Sequence, residues 1–496
     1  MVTPATKACH NCRRRRLKCD RTVPSCNKCR QLGQECLGYG KLFLWTQGVA
    51  SRGKMMGKNY PTPAPRHDSS ITLHSQNRSL PVNTIDRTEA IMSLPPTLLD
   101  PLLDVANHLA GDMVISDISD SNPFLNLIPF AKDHPILLYA LVANAALHVS
   151  CLHRRGLPSS PGSSHISTTT VASSNAMIEA LSAKHKALVL LRHSLNDLST
   201  IDVNLVVTIV HLFIIFELIG QGEGEWRAHV QGAIRLISYL QALELCDASP
   251  LAVIRASITS DCLIYYVLGS TLMKTSTLSD PFLFAGDIME VLTRAEANSY
   301  LSLPTPLLRI LFKACELSNL VSTTKGQEES TALIENAYIL LQAARSFNVN
   351  AWAEGLERSS STRALSRIHT ALAHQSAVRI YICRSVDQIA PLGEDTEALV
   401  DNIVTHLSAV GVDDPIYKAT SWPTFIAGAE TDNPVLRRWA MDRLQVFYNL
   451  IPWGYVKTAG EVMQTTWRLR DAGGDCSRSA SWIQEIKALE RYWLIA

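Results

Sequence analysis

From about Leu98 to the end of the chain, apolar residues recur at spacings of three and four, and runs of strict alternation are few. That period places apolar side chains on one face of a helix, whereas a half-buried strand needs a period of two. Four stretches carry the pattern far enough to predict long helices: PILLYALVANAALHVSCLHRR, NAMIEALSAKHKALVLLRHSLNDL, WRAHVQGAIRLISYLQAL and SASWIQEIKALERYWLIA. The pattern therefore predicts a large all-α domain.

The longest apolar stretch runs from Leu205 to Ile219 and contains His211 and Glu217. It is short for a bilayer, and two ionisable residues within it are costly in lipid. We therefore expect a buried core helix rather than a membrane span, and no membrane partner.

Helix breaks are predicted at GLPSSPGSSHISTTT, GQGEGEW, SLPTP, TKGQEES and near TSWPTF. GQGEGEW resembles a phosphate-binding loop in its glycines only, because it follows a helical stretch instead of a strand and is filled by acids. We interpret it as a plain loop.

Upstream of the helical pattern, the chain from Tyr39 to about Asn83 is rich in Gly, Pro, Ser and Asn, which is typical of a flexible linker. We divide the chain into a head at 1–40, a disordered linker at 41–93 and a helical domain at 94–496. The stretch 94–120 mixes acids with leucines and lacks cations, so it is either the first helix of that domain, which we favour, or an activation segment.

The charge is divided unevenly along the chain. Residues 1–60 hold 13 Lys/Arg against 2 Asp/Glu, a net charge of +11, and the remainder holds 33 against 43, a net charge of −10. A polyanion is the expected partner of the head alone, and nucleic acid is the commonest polyanion with a specific site.

The head contains a cysteine repeat, C-x2-C-x6-C, which occurs twice, in CHNCRRRRLKC and CNKCRQLGQEC. Its members are Cys9, Cys12, Cys19, Cys26, Cys29 and Cys36. Zinc takes four ligands in a tetrahedron, so two triplets complete two sites only if two sulfurs are shared. A disulfide-stapled module is the alternative, but the N-terminus lacks the apolar run of a signal peptide, so reduced thiols are expected.

A basic run, RRRRLK, stands between Cys12 and Cys19, and only Asp20 and Glu35 oppose the positive charge of the whole module. Such density favours contact with DNA phosphates, and Arg and Lys also reach the O6 and N7 acceptors of guanine. A structural zinc module without DNA binding, in a protein-interaction scaffold, remains the alternative.

These cysteines and this basic run, across residues 7 to about 40, closely resemble the fungal Zn2Cys6 binuclear-cluster transcription factors. The resemblance implies two Zn²⁺ ions per chain bridged by Cys9 and Cys26, with Cys12 and Cys19 completing one site and Cys29 and Cys36 the other. It also implies a nuclear protein that binds double-stranded DNA and regulates RNA polymerase II genes.

The same resemblance implies that Arg15 and Arg16 read CGG-type triplets, while Arg13 and Lys18 contact phosphates. Arg14 belongs to the same DNA-binding run. Many family members have Lys at the base-reading position that Arg16 occupies here.

The helical domain resembles the fungal-specific transcription factor domain that follows such clusters. The resemblance rests on NPFLNLIPFAKDHPILLYALVANAALH, EWRAHVQGAIRLI, TSWPTFIAGAE, RRWAMDRL and TTWRLRDAGG. It implies a regulatory domain with co-regulator partners.

No grouping of nucleophile, base and orienting residue is visible in the helical domain, so we do not expect an enzyme. His229 is interpreted as a packing residue, and the six cysteines beyond Cys36 as core thiols. Heptads that would predict a coiled coil are not visible after the head. The protein is therefore either a monomer or a homodimer formed through the helical domain.

Overall fold

The computed structural model describes residues 8–9, 12, 17–22, 26–31, 36, 105–106, 109–111, 113, 122–155, 166–196, 201–242, 251–274, 286–296, 301–324, 326–356, 361–472 and 481–496. The chain divides into two units, Met1–Val82 and Asn83–Ala496. The predicted linker at 41–93 lies outside the described residues. In the first unit the described helix is α1 (Asn27–Gln31).

The second unit is built, in its described part, from α-helices joined by turns and by 3-10 segments at Pro123–Asn126 and Pro415–Thr420. In chain order the α-helices are α2 (Leu127–Phe130), α3 (Pro135–Arg155), α4 (Ile166–Ser194), α5 (Val203–Gly220), α6 (Trp226–Ala242), α7 (Ala252–Ser270), α8 (Gly286–Ala295), α9 (Thr305–Val321), α10 (Gln327–Ser346), α11 (Val349–Leu356), α12 (Ser361–Val386), α13 (Thr396–Ser408), α14 (Ser421–Glu430), α15 (Pro434–Leu450), α16 (Gly454–Ala472) and α17 (Trp482–Ala488). Among these residues the single β pairing is an isolated bridge, so the all-α prediction is confirmed.

Helix α5 lies at the centre of the unit, and all of its residues except Glu217 and Gly220 are buried. Asp202 caps its start, because the carboxylate accepts the Asn204 N–H at 2.9 Å. The predicted core helix at Leu205–Ile219 is confirmed.

Two helices among the described residues, Pro135–Arg154 and Val203–Gly220, are long and apolar enough to cross a membrane, and 83% of each apolar window is buried inside the protein. Burial of this extent is what the core helices of a globular domain show.

Helices α3 and α4 form the most extensive helix–helix contact among the described residues. Small residues on α4, Ala180, Ala183 and Ala187, are buried on the side that faces the core, which lets neighbouring helices approach closely. At one end Ser150 Oγ donates to the Ser173 carbonyl at 2.9 Å.

The helix break predicted near TSWPTF is confirmed, because α13 ends at Ser408 and α14 begins at Ser421, the second residue of that motif. Every residue of α14 is buried. Pro423 is tolerated because it occupies the first turn, where the backbone N–H has no partner within the helix.

The GQGEGEW loop between α5 and α6 is confirmed as a loop, and it is joined to the C-terminal segment. Gly222 accepts the Leu494 N–H at 2.7 Å, and Gly224 donates to the Tyr492 carbonyl at 3.0 Å. Gly222 has φ of +64°, and a Cβ there would lie 2.6 Å from Tyr455 Cβ. Both the conformation and the space therefore require glycine.

Part of the stretch 94–120 is described. Ala106, Leu109, Ala110 and Met113 are buried, and the last three belong to the core of the helical unit. This burial supports the interpretation of the stretch as the first helix of the domain.

Candidate metal centre and nucleic-acid interface

The structure brings the six cysteine sulfurs of the head together as two groups of four. The groups are Cys9, Cys12, Cys19 and Cys26, and Cys9, Cys26, Cys29 and Cys36. Within each group the sulfurs lie within 4.8 Å of one another. Cys9 and Cys26 belong to both groups, and their Sγ atoms are 3.5 Å apart. The cluster is thus compatible with zinc bound by thiolates, two of which are shared.

Hydrogen bonds to sulfur follow the internal repeat. In each half the amide of the first cysteine donates to the sulfur of the third, and the amide of the second donates to the sulfur of the first. The distances are 3.4 and 3.4 Å for Cys9, Cys12 and Cys19, and 3.4 and 3.3 Å for Cys26, Cys29 and Cys36. The internal repeat of the sequence is therefore repeated in the hydrogen bonds of the two halves.

The electrostatics of the cluster call for a cation. Burial raises the pKa of the thiols of Cys9, Cys12, Cys26 and Cys29, which disfavours a group of bare thiolates. Cys19 differs, because amide donation from Cys9 and Arg21 outweighs burial and lowers its pKa to about 7. A bound Zn²⁺ displaces thiol protons and supplies the missing charge, and a tetrahedral all-sulfur set is the donor set that zinc prefers.

Asp20 has a role that the sequence analysis missed. Its carboxylate accepts the N–H groups of Asn27 at 3.0 Å and Lys28 at 3.2 Å, and also the Thr22 hydroxyl. These bonds lower the pKa of Asp20 to about 2. Asp20 therefore caps α1 from seven residues upstream, a distance at which no local capping signal would have revealed it.

The basic face is described in part. Arg13, Arg14, Arg15 and Arg16 lie outside the described residues, so their predicted DNA contacts stay predictions. Lys18 is exposed and adjoins the buried cluster, where the Leu17 N–H donates to the Cys12 carbonyl at 2.8 Å. A repeat shift of 17 residues places Glu35 at the position equivalent to Lys18, so the cationic run belongs to the first half alone.

Arg21, Lys28 and Arg30 are also exposed. The described surface of the head therefore presents four cations, counting Lys18, with Asp20 as its one carboxylate. These exposed cations agree with the polyanion partner that the uneven distribution of charge along the chain predicts for the head.

The cysteines of the helical unit are buried thiols, as predicted, where the structure describes them. These are Cys151, Cys262, Cys315 and Cys383, whereas Cys246 and Cys476 lie outside the described residues. His229 packs its ring 5.3 Å from that of Phe213, and burial lowers its pKa to about 4. Its interpretation as a packing residue agrees with this environment.

Buried ionic groups in the helical unit were not predicted. His211 Nε2 lies 3.3 Å from an Asp261 carboxylate oxygen, and Lys487 Nζ donates to Ser318 Oγ at 2.8 Å. Burial lowers the pKa of Lys487 to about 8. Each contact joins residues at least fifty positions apart, and helical periodicity carries no signal for such pairs.

Comparison with known families assigns both units. The model of the fungal specific transcription factor domain matches residues 106–495, and that of the fungal Zn(2)-Cys(6) binuclear cluster domain matches residues 7–45. The chain belongs to the fungal Zn2Cys6 transcription factors. The resemblance drawn from the cysteine spacing and the helical motifs is thereby confirmed.

Three curated relatives of this Zn2Cys6 protein are named as regulators or control proteins. The acriflavine sensitivity control protein acr-2 of Neurospora crassa is 31% identical, over 99% of this chain and 97% of its own. A phomenoic acid biosynthesis cluster-specific transcriptional regulator of Leptosphaeria maculans is 21% identical, over 80% of this chain and 72% of its own. The pestheic acid cluster transcriptional regulator 3 of Pestalotiopsis fici is 24% identical, over 58% of this chain and 60% of its own.

No solved structure matches this chain. The family matches and the clustered cysteines identify a DNA-binding transcriptional regulator whose head is compatible with zinc. Both matched families are transcription-factor families, not enzyme families.

Proposed function

We propose that this chain is a zinc-dependent, sequence-specific regulator of RNA polymerase II genes that acts in the nucleus and recognises CGG-type triplets. The observation that carries the proposal is the shared sulfur pair, since Cys9 and Cys26 belong to both four-sulfur groups. Two zinc ions placed there would fix the fold of a module too small to form a hydrophobic core.

Cys9 and Cys26 would be shared by the two ions, Cys12 and Cys19 would complete the ligand set of the first, and Cys29 and Cys36 that of the second. All coordination positions are then occupied by protein sulfur. A closed thiolate site has no position for substrate or water, so the metal serves structure rather than catalysis.

The proposed DNA surface is the basic run after Cys12. Arg15 and Arg16 contact guanine O6 and N7, and Arg13, Arg14 and Lys18 neutralise phosphates. Lys18 supports this assignment because it is exposed directly beside the cluster.

We propose that the helical domain contacts transcription co-regulators. We also propose that the regulated genes concern small organic molecules, because one relative is named for acriflavine sensitivity, one for a phomenoic acid biosynthesis cluster and one for a pestheic acid cluster. Transcript profiling of a deletion strain would test this: changes confined to other classes of gene would contradict it.

The test of DNA recognition is selection of random duplexes by the full-length protein with zinc. The expected product is enrichment of CGG-containing sites. The competing function, a protein-interaction scaffold with a structural zinc module, predicts no enrichment. It also predicts that replacing Arg13–Arg16 with glutamine leaves recruitment of the protein to its genomic sites intact.

A further inference from the structure

One side of α15 is apolar and open to solvent around a single cation. We call it the α15 surface, and its residues are Val435, Trp439, Arg443, Val446 and Leu450. Their spacing of four, four, three and four residues places them along one side of a helix. Val435 is 70% exposed, Val446 38% and Leu450 44%, and the other two are half-buried. The fully buried residues of α15 lie on its other sides: Ala440, Leu444, Phe447 and Tyr448.

Arg443 is held by aromatic rings and lacks an acidic partner. Its guanidinium carbon lies 4.3 Å from the centre of the Tyr417 ring and 5.9 Å from that of the Trp439 ring. Nη2 donates to Thr420 Oγ1 at 3.2 Å, whereas the buried Nε has no hydrogen-bond partner. Within the described part of the chain, no carboxylate pairs with this guanidinium. Arg437, on the same helix, instead pairs with two aspartates.

An arginine in this environment costs folding free energy. Burial lowers the pKa of Arg443, which reports that its charge is disfavoured there, yet arginine keeps its proton at neutral pH. Contact with Tyr417 and Trp439 offsets part of this cost and fixes the orientation of the planar group. A charged group that weakens the free fold and is held in one orientation is typical of a binding site, where the partner supplies the opposite charge.

The charges beside the α15 surface leave Arg443 to determine its sign. Arg438 and Asp442 are exposed at the outer edge, beyond Trp439. They carry opposite charges, so that edge is neutral in sum. The complementary partner therefore has a carboxylate surrounded by apolar side chains.

We propose that the α15 surface binds an acidic amphipathic segment of a co-regulator protein, with a carboxylate of that segment paired to Arg443. This inference rests on the proposed contact between the helical domain and co-regulators, and it names the surface. The fifteen residues from Val435 to Leu450 span about 22 Å, which is the length of a four-turn helix and exceeds that of a small organic ligand. Tryptophan and arginine are also enriched among the residues that dominate binding energy at protein interfaces.

The chemistry of the partner is tested by peptide selection from a random displayed library. Peptides of about 16 residues allow four helical turns, and the target is the full-length protein with zinc. The Arg443→Gln protein is the counter-target, which removes peptides that bind the basic head. The expected product is enrichment of sequences with Asp or Glu among apolar residues spaced by three and four. Enrichment of sequences without an acid, or none specific to the wild type, would overturn the proposal.

The location is tested by the affinity of the most enriched peptide, measured by fluorescence anisotropy. Arg443→Gln and Val446→Asp should each weaken binding by at least about tenfold. Arg438→Gln removes the same charge from the edge of the surface. Val189→Asp on α4 makes the same change at a valine that is 40% exposed, against 38% for Val446. Both controls should bind within about twofold of the wild type. A control that loses as much affinity as its matched variant would overturn the choice of surface.

Thermal unfolding separates a binding role of Arg443 from a structural one. Because the unpaired charge disfavours the free fold, Arg443→Gln should keep the unfolding midpoint within about 2 °C of the wild type or raise it. A larger fall would assign the guanidinium to the stability of the domain and overturn the proposal.

Measurements in the cell distinguish failure of this inference from failure of the proposed function. In an Arg443→Gln strain, occupancy of genomic sites should be unchanged, while transcripts of the regulated genes should shift toward their levels in a deletion strain. Unchanged transcripts at full occupancy would overturn the inference alone. Absence of the wild-type protein from CGG sites would instead contradict the proposed DNA recognition, and the peptide measurements would still decide the role of the α15 surface.

Discussion

Trp226 fills the space that a side chain at Gly269 would need. An ideal Cβ at Gly269 would lie 2.0 Å from Trp226 Cη2 and 2.5 Å from Cζ3. The indole is 1% exposed, and its Nε1 donates to the Tyr492 carbonyl at 3.0 Å. The first residue of α6 thus joins α7 to the C-terminal segment.

Gly269→Ala is therefore expected to destabilise the helical unit by about 1–3 kcal/mol, because the added methyl group overpacks a fixed ring. Gly232→Ala on α6 is the matched control. A Cβ at Gly232 meets no atom within 4 Å, so this change should be neutral or stabilising by up to about 1 kcal/mol. Urea unfolding followed by circular dichroism compares the two, and equal midpoints would contradict the packing described.

Glu430 is buried, and its carboxylate accepts Arg384 Nε at 3.0 Å and Trp482 Nε1 at 2.9 Å. Glu430→Gln should cost about 3–5 kcal/mol, because it leaves the Arg384 charge partly uncompensated in the interior. The same substitution in the exposed Lys313–Glu316 pair, Glu316→Gln, should cost less than about 1 kcal/mol. Similar losses in the two variants would show that the buried pair has no special role.

The Glu430 pair also predicts a pH effect. Burial raises the pKa of Glu430, but Arg384 outweighs this and leaves the pKa below its ordinary value. The contribution of this ion pair to the free energy of unfolding is therefore complete above the pKa that Glu430 has in the unfolded chain. It is lost as the pH falls through the lower pKa that Glu430 has in the folded protein. The difference in stability between wild type and Glu430→Gln should shrink on acidification over that range.

His374 predicts a second pH effect, at milder acidity. Its Nε2 lies 3.2 Å from the carbonyl oxygens of Leu301 and Ala419, and burial lowers its pKa to about 4. Between the ordinary value of 6.5 and 4, the unfolded chain binds a proton that the folded chain does not, so stability falls as the pH falls. His374→Gln should flatten the pH dependence of unfolding between these values by up to about 1.4 kcal/mol per pH unit. An unchanged slope would contradict the assignment.

The sequence predicted the parts of the structure that are specified locally. The repeated C-x2-C-x6-C spacing determines which sulfurs converge, because short loops leave the chain few alternatives, and the uninterrupted apolar run marks α5 as a core helix. Contacts between distant positions were not predicted. Arg384 and Glu430 are 46 residues apart, and the local sequence of neither helix indicates that the two side chains pair. The break near TSWPTF was also predicted from local signals, since Pro423 lies in the first turn of the helix Ser421–Glu430, where proline is compatible with a helix start.

We predict that Lys18 contributes to DNA affinity equally for duplexes of any base sequence. Lys18→Ala should weaken binding to CGG and unrelated duplexes alike, and should reduce the slope of log K against log salt by about 0.9, as expected for one lost phosphate contact. Arg16→Ala should instead reduce the difference in binding free energy between CGG and unrelated duplexes by about 1–3 kcal/mol. Lys313→Ala, a charge loss on the helical unit, serves as the control. Fluorescence anisotropy over a salt series measures all three, and a Lys18→Ala effect restricted to CGG sites would contradict the phosphate role.

We propose that two zinc ions, held by six thiolates of which those of Cys9 and Cys26 are shared, organise the basic run for selective DNA binding. Titration of zinc into the reduced, metal-free full-length protein, followed by anisotropy of a CGG duplex and an unrelated duplex, tests it most directly. We predict that selective binding reaches its full extent at two zinc ions per chain. Selectivity without zinc, or saturation at one ion, would contradict the account.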